Sequence, residues 1–76
     1  LLPEKELAIL RIAHKGTHDK RKADRIKAVY LLGKGWSITD VHEALLLDED
    51  TLRNYYARYQ DGNLMGLLDD HYVNNK

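Results

Sequence analysis

A chain of 76 residues is long enough for one domain, and a core forms only marginally, since a small domain buries about 60% of the surface its unfolded chain exposes. It has no cysteine, which excludes disulfides and thiolate metal sites and fits a reducing compartment such as the cytoplasm; no apolar run approaches the roughly 20 residues of a membrane span. The net charge of zero conceals nine Lys/Arg against four Asp/Glu in residues 1–36 and three against eight in residues 37–76, balances of +5 and −5. This excludes a uniformly basic nucleic-acid surface and leaves electrostatic footing on phosphate mainly to the N-terminal half.

The start, Leu1-Leu2-Pro3, lacks a charged signal-peptide head and an initiator Met, so the expectation is a domain taken from something longer. Pro3 suits the first position of a helix, where its missing N–H costs nothing. Glu4 and Glu6 then favour the first turn through the helix dipole. Leu7, Ile9, Leu10, Ile12 and Ala13 carry this helix to about His14, and Gly16 stops it. A second helix is expected from about Lys20 to Leu32, capped by Thr17 or Asp19. Ala23, Ile26, Tyr30 and Gly33 share one of its faces, and Val29 and Leu32 widen the apolar surface enough for two neighbours.

Ser37-Ile38-Thr39-Asp40 reads as a capping box with Asp in the usual Glu/Gln place. The short helix it opens ends near Leu46, with Leu47 pointing inward. Asp48 caps a fourth helix, which Gln60-Asp61-Gly62-Asn63 closes, with Gly62 as the left-handed residue. Leu64 to Leu68 then forms a last turn folded back on the core. Residues 1–70 make up the domain, and the polar remainder, 71–76, is a linker or tail. Two short helices around a tight turn, with one face left free, form the pattern of a helix-turn-helix, so the fold class is all-α.

On a helical wheel the fourth helix places Leu52, Tyr55, Tyr56 and Tyr59 on one side. Asp50, Arg53, Asn54 and Ala57 fall on the other, flanked by Glu49 and Arg58. Arg can donate twice to guanine, Asn can pair bidentately with adenine, and a carboxylate can accept from cytosine. Glu49, Asp50, Arg53, Asn54 and Arg58 are therefore the candidate base-reading residues; for Glu49 and Asp50 the competing reading is stabilisation of the helix start. The basic group Lys15, Lys20, Arg21, Lys22, Arg25 and Lys27 lies near a helix N-terminus, where cations oppose the dipole. Phosphate contact explains it, as does an ordinary solvated face. Lys34 precedes the motif, and N–H groups at the starts of the third and fourth helices suit phosphate. Among the aromatic residues, five Tyr and Trp36, helical spacing assigns Tyr30, Tyr55, Tyr56 and Tyr59 to the core, Trp36 plugs the gap between the second and third helices, and Tyr72 falls in the tail. His14, His18, His42 and His71 lack metal-motif spacing, and no nucleophile–base pair or phosphate loop is visible.

Gly35-Trp36-Ser37-Ile38-Thr39-Asp40-Val41, the helix from Asp48 to Tyr59, and Asp61-Gly62-Asn63-Leu64-Met65-Gly66-Leu67-Leu68-Asp69 together resemble the N-terminal DNA-binding region of bacterial insertion-sequence transposases related to the mariner superfamily. The resemblance covers residues 18–70, and the Gly-rich hook after the last helix is its most specific part. It implies a homeodomain-like helix-turn-helix bundle of four helices plus a C-terminal helical turn. The implied function is binding of double-stranded terminal inverted repeats during transposition, a form of DNA recombination, in the bacterial cytoplasm. Catalysis would belong to a downstream acidic-triad nuclease domain, so this chain is expected to be no enzyme and to need no cofactor, metal, membrane or small-molecule substrate. By position, Ser37, Thr39 and Asp48 match helix starts near phosphate, joining Lys20, Arg21, Lys22, Arg25 and Lys34 as candidate backbone contacts. The sequence departs from the family pattern where Leu46 replaces Gly, where His42 replaces a small residue, and where Asp48-Glu49-Asp50 replaces a Ser-and-basic start. The alternative readings are the DNA-binding domain of a transcription regulator and a protein-interaction or homodimerisation module whose +5 and −5 halves pair between copies.

Overall fold

Each helix begins where a residue in extended conformation halts the preceding chain. In the computed structural model, which describes residues 1–71, these helices are α1 (Glu4–Gly16), α2 (Lys20–Gly33), α3 (Ile38–Leu45) and α4 (Glu49–Leu68), with no strand among the described residues. Of the expected tail, 71–76, residues 72–76 lie outside them. The Cα radius of gyration is 11.4 Å, against about 11 Å for a compact domain of this length. No helix of the described residues is long and apolar enough to cross a membrane.

Of the two candidate caps for α2, Asp19 is the one used: its side chain accepts from the N–H groups of Arg21 and Lys22. Ser37 caps α3 by accepting from Asp40 N–H at 3.0 Å. Four details differ from expectation. Pro3 sits just outside α1, where its carbonyl accepts from Glu6 and Leu7. Gly16 is the last helical residue, and extended Thr17 ends the helix. Asp48 occupies the cap position of α4 without a side-chain cap bond; it is exposed, so water can satisfy the first-turn N–H groups. The positive φ after Tyr59 falls on Asn63 (φ 54°), not on Gly62 (φ −131°), since Asn tolerates φ > 0 better than other side chains. These two residues kink α4, and its last turn swings back as the expected hook.

Packing is organised around α2, which touches all three other helices. One cluster joins Leu10 of α1, Ile26 and Val29 of α2, and Tyr59 and Leu67 of α4. A second joins Ala28 of α2, Val41 of α3 and Leu52 of α4. Tyr55 packs against both. The N-terminal arm closes the open end: Leu2 N–H donates to the Gly33 carbonyl at 2.9 Å, and a Cβ at Gly33 would lie 2.6 Å from the Leu2 side chain. Gly35, at φ 105°, turns the chain from α2 into α3. Trp36 does not plug the gap assigned to it; it is 44% exposed, because Ile38, Leu31 and Leu32 already pack there.

Between α3 and α4 the turn is Leu46, Leu47 and Asp48. Leu46 is left-handed at φ 57° and 84% exposed, so its side chain brings little burial to offset the conformational cost. His42 braces this turn from α3. Its Nδ1 lies 2.7 Å from the Leu47 carbonyl, which can only accept, so Nδ1 carries the proton. Leu46→Gly should raise stability by about 1 kcal/mol, the left-handed penalty less glycine's entropy, and so raise Tm by roughly 4–8 °C; an unchanged or lower Tm would show that the Leu46 side chain contributes contacts.

Across the other cluster, the Tyr59 hydroxyl donates to Glu6 Oε1 at 2.6 Å. Burial foremost, then the Glu6 carboxylate, push this phenol up to about 12. A pKa raised on folding stabilises the protein fully below the unfolded value of about 10 and is lost as pH rises through the folded one. Stability should therefore fall between pH 10 and 12, and Tyr59→Phe should flatten that fall. Urea midpoints across this window provide the measurement; equal slopes in the two proteins would remove Tyr59 as the cause.

Candidate nucleic-acid interface

The orientation of α4 about its axis is set by Leu52, Tyr55, Tyr56, Tyr59 and Leu67, which enter or border the two clusters. Arg53 and Asn54 are left exposed on the opposite side. Ala57 is half-buried and, with Arg53, Tyr56, Leu32 and Ile38, borders a shallow hollow of about 350 Å³ between α4 and the junction of α2 with α3. The start of α3 therefore flanks the same edge of α4 that carries Arg53.

Arg53 is exposed yet engaged. Its guanidinium donates to Asp50 Oδ1 at 2.9 Å and to Glu49 Oε1 at 3.3 Å, a fork across one helical turn. Both carboxylates are on the solvent side, Asp50 more so than Glu49. Such exposed pairs contribute little stability, typically under 1 kcal/mol. The fork's main consequence is to narrow the rotamers of Arg53 and cancel its charge in the free protein.

Two of the thirteen candidate contacts are corrected by their placement. Arg58, expected among the base-reading residues, is only 9% exposed. Its Nε donates to the Gly66 carbonyl at 3.2 Å and its Nη2 to the Asp69 carbonyl. Arg25, expected on the backbone-contacting face, has a side chain only 13% exposed. It donates to the Leu67 carbonyl and, at 3.0 Å, to Asp70 Oδ1, and its guanidinium lies 5.9 Å from the centre of the Tyr55 ring. The kink brings α4's last turn against both arginines, and its C-terminal carbonyls need donors. The hydrogen bond from Arg25 holds the Asp70 carboxyl below the usual carboxylate range, with Lys22 and His71 adding to the effect. The spacing carried a signal for Arg25: it stands four residues before buried Val29, on the same face of α2.

The remaining cations do not form one patch. Lys20, Arg21 and half-buried Lys22 stand at the first turn of α2, and exposed Lys34 follows its last residue. A helix of 14 residues separates these ends by about 21 Å. Lys22 lies close enough to Asp70 to act on its carboxyl, whereas Lys34 lies beside Ser37, exposed Thr39 and the start of α3. Lys34 Nζ sits 5.4 Å from the centre of the Tyr30 ring, and Arg11 donates to the Tyr30 hydroxyl at 3.1 Å; Arg11 first, with help from Lys34, lowers that phenol's pKa. Asp48, Glu49 and Asp50 crowd the start of α4 with negative charge. Among the described residues no group of three His, Cys, Asp or Glu side chains is placed to hold a metal ion. Compared with known protein families, with curated proteins and with solved structures, the chain matches none.

Arg58→Ala should lower stability by about 2–3 kcal/mol, the scale for hydrogen bonds to a charged group whose partners stay partly buried. Arg58→Lys should recover little of it, because one ammonium cannot reproduce a guanidinium fork. Urea unfolding provides the comparison; a loss below about 0.5 kcal/mol, the usual scale for surface substitutions, would show that the hook does not depend on this residue.

Proposed function

We propose that this chain is a helix-turn-helix domain that binds duplex DNA, in the manner of the end-recognition module of an insertion-sequence transposase. The observation that carries the reading is the α3–turn–α4 unit braced on α2, with the Arg53 and Asn54 side of α4 uncovered. A helix with its side chains is about 10–12 Å across and the major groove about 12 Å wide, so α4 can enter while α3 crosses the backbone. In that pose Arg53 and Asn54 face base edges, while Lys34, Thr39 and the first N–H groups of α3 stand near phosphate. Lys20 and Arg21 reach a more distant stretch of backbone. The Ser37 hydroxyl keeps its role at the cap of α3.

The acidic start of α4 shapes this function. Glu49 and Asp50 hold Arg53 in the free domain, so a guanine must compete with two carboxylates for the guanidinium. Phosphate repulsion and this competition both lower affinity for arbitrary sequence, while a site that engages Arg53 and offers a cytosine amino group to a carboxylate recovers part of the loss. The domain is then a weak general binder with a narrow preference.

Titration against a random duplex pool at several salt concentrations, followed by selection of bound sequences, tests the proposal. Affinity should fall with salt by roughly 0.9 log units per log unit for each phosphate neutralised. Arg53→Ala should relax preference at one position, costing about 1–3 kcal/mol on the selected site, whereas Arg21→Ala should weaken all duplexes alike. No salt-dependent binding to any duplex, or an Arg53→Ala protein with the parent's preference, would overturn it.

A further inference from the structure

Two surface features stand apart from the α4 face and are complementary in charge. The first is a groove of about 280 Å³ between α1 and α2, floored by fully buried Leu10 and Ile26 and walled by Tyr30 and Leu31. Its charged margin is cationic, with Arg11, Lys15 and Lys27 and no carboxylate among the lining residues. Arg11 is engaged by Tyr30 and Glu4; Lys15 and Lys27 are exposed and have no carboxylate within 4.0 Å among the described residues. The second is the shallow surface around Trp36, whose charged margin is Asp40 and Glu43, with no cation. Both carboxylates are exposed and likewise without an ion-pair partner among the described residues.

We propose that two copies of this chain pair about a two-fold axis, Trp36 of each entering the α1–α2 groove of the other. Asp40 and Glu43 of one copy then meet Lys15 and Lys27 of its partner. A partly exposed indole is a typical anchor for a protein contact, since it covers a large apolar area at small entropic cost. The groove supplies what it lacks, an apolar recess, and the four unpaired charges have the signs that such docking needs. The two features adjoin on one molecule, because the carbonyl of Leu31, a groove wall, accepts the Trp36 backbone N–H at 3.1 Å. A single two-fold operation can therefore satisfy both contacts at once, giving a closed pair instead of an open chain. Two patches of this size form a small interface, so the pairing is weak and depends on concentration and salt. It uses no residue of α4 and does not rest on the DNA-binding reading.

Sedimentation velocity on the whole chain without DNA is the test. At low salt the average mass should rise with concentration from 8.8 kDa toward twice that value, and high salt should reverse it. Trp36 emission should shift to the blue over the same range. Two double variants, Lys15→Glu with Lys27→Glu and Asp40→Lys with Glu43→Lys, should each associate about tenfold or more weakly, several surface pairs turned repulsive. Mixed in equal amounts they should pair again, because the reversed groove of one accepts the reversed Trp36 patch of the other while the unaltered groove and patch also match. Circular dichroism establishes that each variant is folded, and the parent's own dependence on concentration and salt decides the matter where one is not. A parent that stays monomeric throughout, or folded variants that fail to associate when mixed, would overturn the proposal.

Discussion

The arrangement depends on α2 being buried on two sides. Ile26 and Val29 face α1 and the far half of α4, while Ala28 faces α3 and the near half of α4. One helix thereby connects two small clusters, and Tyr55 joins them a second time from α4. Neither cluster alone would make a core for a chain of this length. Their connection also has a directional result. Because α4 is anchored by Leu52 at one end and by Tyr59 and Leu67 at the other, it cannot turn about its axis without opening both clusters. The exposure of Arg53 and Asn54 follows from that double anchorage and not from any preference of their own.

The hook changes the electrostatic character of the domain. Two arginines that composition alone would assign to a nucleic-acid surface turn inward to satisfy backbone carbonyls at Gly66, Leu67 and Asp69. Guanidinium suits this place: it is planar, it donates in several directions, and Tyr55 offers Arg25 an aromatic face. With Arg25 and Arg58 withdrawn and Arg53 forked between two carboxylates, few cations remain near α4. Any affinity for DNA must then draw on helix-start N–H groups, Lys34 and the distant Lys20–Arg21 pair. On the proposed reading, this balance favours selectivity over strength.

Much of this was legible in the sequence, and the reasons differ by residue. The helices announce themselves through caps and periodicity: Asp19 and Ser37 are short polar side chains placed just ahead of apolar residues at helical spacing. The inward side of α4 was readable because three tyrosines and Leu52 recur at intervals of three and four. What escaped is long-range. Arg58 borders the exposed face on a wheel, and only the return of the hook, eight residues later in sequence, covers it. Trp36 looked like core by its size, yet the space beside it is taken by aliphatic side chains from α2 and α3. Asp48 has the right type and backbone for a cap, but its side chain turns to water. In each case local pattern gave the position along the helix, and a tertiary contact decided what the side chain does there.

The central claim is that the uncovered side of α4 meets the bases of duplex DNA. Amide and guanidinium chemical shifts of the isotope-labelled chain, recorded as a random duplex pool is added at low salt, test it most directly. The account predicts the largest changes at Glu49 to Asn54 and at the start of α3, with the Arg53 side-chain signals moving as its fork to Glu49 and Asp50 opens. Changes confined to α1, or α4 signals that stay in place while binding is plainly occurring, would contradict it.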